Sequence, residues 1–372
     1  MSRISGLLLL LAAAAIAATP EVRGVWVARD SLGSQERLRE TFTRLSEANF
    51  NTVFVNVWSR GYPLWRSEVF SRETGFELDP SPEFVGRDPL AEAVALGKEF
   101  AIAVVPWAEY GFVGGWSGYF AGEGGMGPIF EKHPDWLAKR RDGSVRFPVG
   151  SGCCYFWMAH ANPEVQRFLA DLMAEIAAKY DVPAIQFDRA RYPELDCGYD
   201  EATVALYAAQ HEGQRPPDDP RDARWVAWRA AQLNQFHSML MRRIRDANWR
   251  ALVTNAPVVY PFSYVNFAQE YPAWVRQGSL DFVSPQIYRS DFEGFQRELD
   301  AQIQHAGGAA RLVAGIDASN TRIEVVIRSI ELARQRKLPG VVIWFYGALA
   351  SSGSLARLKE AVFEEPAPLP WK

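Results

Sequence analysis

The sequence predicts an α/β fold of the (β/α)8 TIM barrel type, with long loops after strands three and four. Three observations carry that expectation. Eight short apolar runs alternate with amphipathic helical patterns along the chain, and strict alternation of strand and helix implies a parallel sheet. One run, Val182-Pro183-Ala184-Ile185-Gln186-Phe187, leads straight into Asp188-Arg189-Ala190-Arg191-Tyr192-Pro193. That is an acid, a base and an aromatic at the end of a buried strand, where barrels present their functional groups. A length of 372 residues, 48% hydrophobic and 23% charged, suits one barrel with insertions as well as two smaller domains, so the alternation decides.

Taken in order, the predicted strands are Val22 to Ala28, Thr52 to Trp58, Ala101 to Trp107, Ala184 to Asp188, Ala251 to Ala256, Phe282 to Tyr288, Leu312 to Ile316 and Val341 to Phe345. The helices between them are Gln35 to Ala48, Pro89 to Glu99, Pro163 to Tyr180, Ala223 to Ala247, Val265 to Gln277, Phe292 to His305, Thr321 to Arg336 and Ser354 to Phe363. Asn162-Pro163 sets a capping side chain before a proline at the first helical position, where its missing N–H costs nothing. The helix from Ala223 places Trp225, Trp228, Gln232, Leu233, Phe236, Met239, Leu240 and Ile244 at steps of three and four, a mainly apolar stripe expected to lie against the sheet. Thr321-Arg322-Ile323-Glu324 reads as a capping box.

Two insertions interrupt the spacing. Glu109 to Asn162 is far longer than an ordinary strand-to-helix loop and holds the Gly-rich stretch Gly111 to Gly127, which reads as a lid or groove wall; Arg191 to Asp222 is the second. Both follow strands that open on the same barrel mouth.

The ends and the cysteines bear on compartment. Arg3, the apolar stretch Leu7 to Ile16 and the small-residue end Ala15-Ile16-Ala17-Ala18 predict a signal peptide over residues 1–18. A barrel domain over 19–364 and a Pro-rich tail over 365–372 follow, in a periplasmic or secreted protein with no stable membrane insertion after cleavage; a retained signal anchor is the alternative. Cys153, Cys154 and Cys197 predict a bridge from Cys197 to one of the adjacent pair, drawn here as Cys154–Cys197, against the alternative of three free thiols. Their spacing does not suit zinc, and His133 and His160 stand isolated, so neither metal nor cofactor is expected. A formal net charge of -4 argues against a nucleic-acid partner. Thirteen Trp and thirteen Tyr suit stacking on sugar rings, although core packing uses the same residues.

Arg23-Gly24-Val25-Trp26, Phe50-Asn51-Thr52-Val53-Phe54, Asp88-Pro89-Leu90-Ala91, His133-Pro134-Asp135-Trp136-Leu137, Asn162-Pro163-Glu164-Val165 and the Phe187-Asp188 to Arg191-Tyr192-Pro193 segment together resemble the bacterial glycosyl-hydrolase-like family 10. The resemblance spans nearly all of the chain after the signal peptide. It implies a (β/α)8 barrel acting on glycans, with cell-wall strands stripped of their peptides as substrate. The chain departs from the family in carrying Met158-Ala159-His160-Ala161 ahead of Asn-Pro-Glu-Val, and Glu109 where many members carry Asn.

Glycoside cleavage uses one protonated acid at the leaving oxygen and one ionised carboxylate that attacks carbon or activates water. Asp188 ends the fourth predicted strand and Glu109 the third, making them neighbours at the mouth. Asp188 is the expected nucleophile or general base and Glu109 the general acid, with the exchanged roles left open. For Asp188 the structural alternative is an ion pair with Arg191, and for Glu109 a loop-anchoring hydrogen bond. Trp58, Arg60, Trp107, Arg191, Tyr192, Asn255, Gln286, Tyr288, Asp317, Trp344 and Tyr346 complete the expected sugar-binding set. Arg229 and Asn234 match family positions but read as packing or ion-pair residues rather than substrate contacts. No Gly-x-Ser-x-Gly, Gly-Lys-Ser/Thr or His-Glu-x-x-His motif offers other chemistry. The competing reading is a non-catalytic glycan-binding barrel.

Overall fold

Eight short strands whose side chains alternate between two apolar environments form the frame: β1 (Val22–Val27), β2 (Thr52–Asn56), β3 (Ala103–Ala108), β4 (Ala184–Phe187), β5 (Leu252–Asn255), β6 (Phe282–Val283), β7 (Ala314–Asp317) and β8 (Gly340–Trp344). The computed structural model describes residues 19–120, 125–149 and 153–370; the expected signal peptide and part of the Gly-rich stretch lie outside these. The strands pair in parallel in the order β6-β5-β4-β3-β2-β1-β8-β7. Parallel bridges Val283–Leu312 and Gln286–Gly315 join the two outer strands and close the sheet into a barrel. Gly315 permits that closure, since a Cβ there would sit 2.6 Å from the Pro285 carbonyl oxygen.

Period-two alternation divides the apolar residues into two cores. Trp26, Phe54, Val105, Trp107, Ala184 and Val342 fill the barrel interior, while Val25, Val53, Val104, Ile185, Phe187 and Ile343 face the surrounding helices. The helices that follow strands β1 to β8 are α1 (Gln35–Glu47), α2 (Pro89–Phe100), α3 (Pro163–Lys179), α4 (Ala223–Ala247), α5 (Tyr271–Arg276), α6 (Phe292–His305), α7 (Ile323–Gln335) and α8 (Ser354–Ala361). Asn162 caps α3 as expected, accepting from the Glu164 amide. Of the α4 stripe, Trp225, Gln232, Leu233, Phe236, Leu240 and Ile244 are buried, and much of the face packs on α3 as well as on the sheet.

Several local expectations change. The span from Val265 to Gln277 is two short helices, Phe262–Phe267 and α5, because the chain turns left-handed at Ala268 (φ 51) and Pro272 cannot donate to a preceding turn. The sixth strand is laddered only over Phe282–Val283, since Pro285 lacks the amide that would continue it. Thr321 does not cap α7; Arg322 holds the cap position, and the Thr321 hydroxyl donates to the Arg289 carbonyl at 3.4 Å.

The first insertion carries a hairpin of Val113–Trp116 and Tyr155–Trp157, and the second a helix, Glu201–Gln210. The cysteine pairing also differs: Cys153 bonds to its neighbour Cys154, leaving the Cys197 thiol free and buried. Cys154 is tied to Ser117 beside the hairpin, and Cys197 bridges Arg140 under the second insertion, so each is held by a different partner segment. At the opposite, N-terminal end of the barrel the tail packs under β1, its Glu365, Ala367 and Pro368 carbonyls accepting from Arg23, Asn51 and the Glu21 amide.

Candidate active site

The Asp188 amide donates to the Ala108 carbonyl at 3.1 Å, continuing the β3–β4 pairing one step past its last laddered residues, Ala108 and Phe187. Glu109 and Asp188 therefore stand side by side. Two residues beyond the inward-facing Trp107 and Gln186, both carboxylates rise from the barrel interior at its mouth. They share a cleft of about 100 Å³ with Trp26, Trp107, Arg189, Arg191, Gln286, Tyr288 and Trp344. A larger cleft of about 910 Å³ lies at the other end of the barrel, where the strands begin, and holds none of these groups.

Asp188 Oδ2 accepts from Trp107 Nε1 and Gln286 Nε2, both at 3.4 Å, and Oδ1 from the Arg189 amide at 2.5 Å. Burial raises its pKa to about 6 against the opposing pull of Arg189 and Arg191. Glu109 accepts from Asn56 Nδ2 and stands 3.9 Å from Arg189 Nη2. Burial again dominates, and with the negative charge of Asp188 it pushes Glu109 up to about 7 despite Arg189, Asn56 and Arg60. The Tyr288 phenol, desolvated beside Asp188, Asp317 and Glu109, is held far above its usual range and remains a proton donor. Arg191 is lowered to about 10 by burial and by the neighbouring Arg189.

The floor is aromatic. Trp26, Trp107 and Trp344 pack with centroid separations of 5.8 to 6.2 Å, and Trp26 Nε1 donates to Gln186 at 2.8 Å. Arg60 lies at the rim, 5.0 Å from the centroid of the Trp116 ring.

The cleft gathers Glu109, Asp188, Trp107, Arg191, Gln286, Tyr288 and Trp344 from the sequence-derived set. The others lie elsewhere. Trp58 packs edge-on against Phe70 and Phe168 in the helix-side core. Tyr192 is buried in a stack with His160, and Tyr346 is buried on the helix that follows β8. Asn255 donates to the Phe187 carbonyl and to His237, bracing the strand end that carries Asp188. Asp317 accepts from the amide and hydroxyl of Ser319 and from Asn320, anchoring the turn before α7. Among the described residues no three His, Cys, Asp or Glu side chains are grouped to hold a metal.

Sequence reasoning passed over Trp26, Asn56 and Arg189. Asn56 carried a signal, as a polar residue closing an apolar strand at an inward position. Arg189 carried none beyond its place next to Asp188, because its reach to Glu109 depends on a left-handed backbone at φ 44.

The model of the glycosyl hydrolase-like 10 family matches residues 21–316, more than half of the sequence. The chain belongs to that family. Glycosyl hydrolase DigH of Escherichia coli K12 is 22% identical over 287 residues, covering 68% of this chain and 58% of DigH. Glycosyl hydrolase YngK of Bacillus subtilis is 24% identical over 178 residues, covering 43% and 31%. The chain thus spans little more than half the length of the first of these family relatives. Among solved structures, the glycoside hydrolase domain of PgaB (BpsB) from Bordetella bronchiseptica superposes with a TM-score of 0.66 at 14% identity, covering 92% of this chain and 99% of that one. The β-amylase catalytic domain of Paenibacillus polymyxa gives 0.62 at 11%, covering 94% and 100%. These likenesses establish the TIM-barrel fold for this family member.

Proposed function

We propose that the chain is an exported glycoside hydrolase that cleaves bacterial cell-wall glycan strands stripped of their peptides. One observation carries the reading: two buried carboxylates at adjacent strand ends share a cleft, with Asp188 raised to about 6 and Glu109 to about 7. Between those values the favoured state holds Asp188 ionised and Glu109 protonated. Glu109 is then the general acid at the leaving oxygen, and Asp188 the nucleophile or the base that activates water. The tryptophan floor offers apolar faces to sugar C–H groups, while Gln286 and Tyr288 supply hydrogen-bond donors. Export rests on the leader pattern of residues 1–18, and the glycan on the family to which the chain belongs.

Mass spectrometry of products from peptide-free cell-wall strands and a panel of bacterial polysaccharides, incubated with the wild type and with Asp188→Asn, tests the proposal. Fragments from the wild type alone are expected. Intact glycans retained by both proteins would replace the hydrolase with a glycan-binding barrel.

A further inference from the structure

Arg191 forms one side of the cleft next to Asp188. Its guanidinium lies 4.6 Å from the Phe267 ring centroid and 5.8 Å from that of Trp157, and Nη1 donates to the Tyr192 carbonyl at 3.3 Å. A guanidinium has five N–H donors in a planar fork. No nitrogen of Arg191 is buried without a partner, so the remaining donors reach the surface of the cleft. Among the described residues no carboxylate stands within ion-pair distance of it, whereas neighbouring Arg189 is engaged by the carbonyl and carboxylate of Glu109.

Arg191 shares its cleft with the Asp188 charge but forms no ion pair with it, so its fork retains donors that a ligand's oxygens can take up. The fork geometry favours a planar, two-oxygen anion. Phe267 also packs edge-on against Phe262 at 5.8 Å, and Phe262 is 54% exposed, so an apolar surface continues outward from Arg191.

We propose that Arg191, flanked by Trp157 and Phe267, forms a subsite for a carboxylate carried on the glycan. This rests on the reading of the protein as acting on peptide-free cell-wall strands. In such strands removal of the peptide turns the lactyl amide of each muramic residue into a free carboxylate. The subsite thereby distinguishes stripped strands from peptide-bearing ones through charge as well as bulk.

The test compares peptide-free strands with the same strands capped as methylamides by carbodiimide coupling, so that size is nearly kept and charge is lost. Calorimetric titration of Asp188→Asn, which holds strands without cutting them, is expected to show about tenfold or greater preference for the free carboxylates. That preference disappears in Asp188→Asn/Arg191→Gln and is only partly kept in Asp188→Asn/Arg191→Lys, which retains charge without the fork. Equal affinity for the two strands in Asp188→Asn, a preference that survives Arg191→Gln, or no binding to either strand would overturn the subsite. Cleavage by the wild type is scored separately. Product formation with equal affinities removes the subsite and leaves the hydrolase; a carboxylate preference with no product does the reverse.

Discussion

Arg189 holds Glu109 by two contacts, its Nε donating to the Glu109 carbonyl at 3.0 Å while Nη2 stands 3.9 Å from Oε1. The same side chain depresses the pKa of both cleft carboxylates against the effect of burial, and it lies over the rings of Tyr110 and Tyr155. One guanidinium thus opposes the effect of burial on both.

Replacing Arg189 with Met removes positive charge from Glu109 and Asp188 together. Both limbs of the pH–activity profile should move to higher pH, by about one unit or more. A profile whose limbs stay in place would show that Arg189 has no electrostatic hold on either group.

With Asp188 required as the anion and Glu109 as the acid, activity should rise through about pH 6 and fall through about pH 7. Asp188→Asn should lower kcat by about a thousandfold and leave the circular dichroism spectrum intact. Retention of most of the activity by that variant would eliminate Asp188 as nucleophile or base.

Glu109 trades stability for its raised pKa. Because its folded value of about 7 exceeds the ordinary 4.5, the folded protein binds more protons than the unfolded chain in that interval. The associated stability is present below about 4.5 and is lost as pH rises to about 7. Glu109→Gln should therefore be more stable than the wild type at pH 8, by on the order of 3 kcal/mol, with the gap closing below pH 4.5. Urea unfolding across that range would expose the opposite trend.

Arg229 is buried on α4 and donates to the carbonyls of Leu195, Cys197, Pro220 and Trp225, fastening the second insertion. Arg229→Met should cost on the order of 3 kcal/mol by stranding those acceptors, and it should speed the reaction of Cys197 with a thiol reagent. Cys197 labelling no faster than in the wild type would mean that the loop is held by other contacts.

Gly315→Val forces a branched side chain against the Pro285 carbonyl where β6 meets β7. A loss of about 1 to 3 kcal/mol is expected in thermal or urea unfolding. No change would show that the closing bridges can spread to admit it.

The barrel was legible because parallel strands are short apolar runs, and the placing of Glu109 and Asp188 in one cleft because each acid directly follows such a run. Discriminating among the aromatics was harder. Trp344 and Trp58 both lie near strand ends, yet one lines the cleft and the other packs under Phe70, because Trp58 lies beyond the end of β2 in a separate two-residue antiparallel pairing with Tyr62–Pro63. Tyr192 follows Arg191 by one residue and points away from the cleft into the His160 stack. The cysteine pairing escaped because proximity along predicted strand ends does not reveal which loop folds beneath the other. The polar residues that brace the site, Asn56 and Asn255, bond to groups on the neighbouring strand, brought near only by the register of parallel pairing.

The tail fastened beneath β1 has a practical meaning for handling the protein. Residues 19–21 and 364–366 lie together on the face behind the barrel, away from the tryptophan floor. Whatever is joined through them, whether a resin, a fusion partner or a lipid surface, would sit at the molecule's back and leave its mouth turned toward incoming polymer.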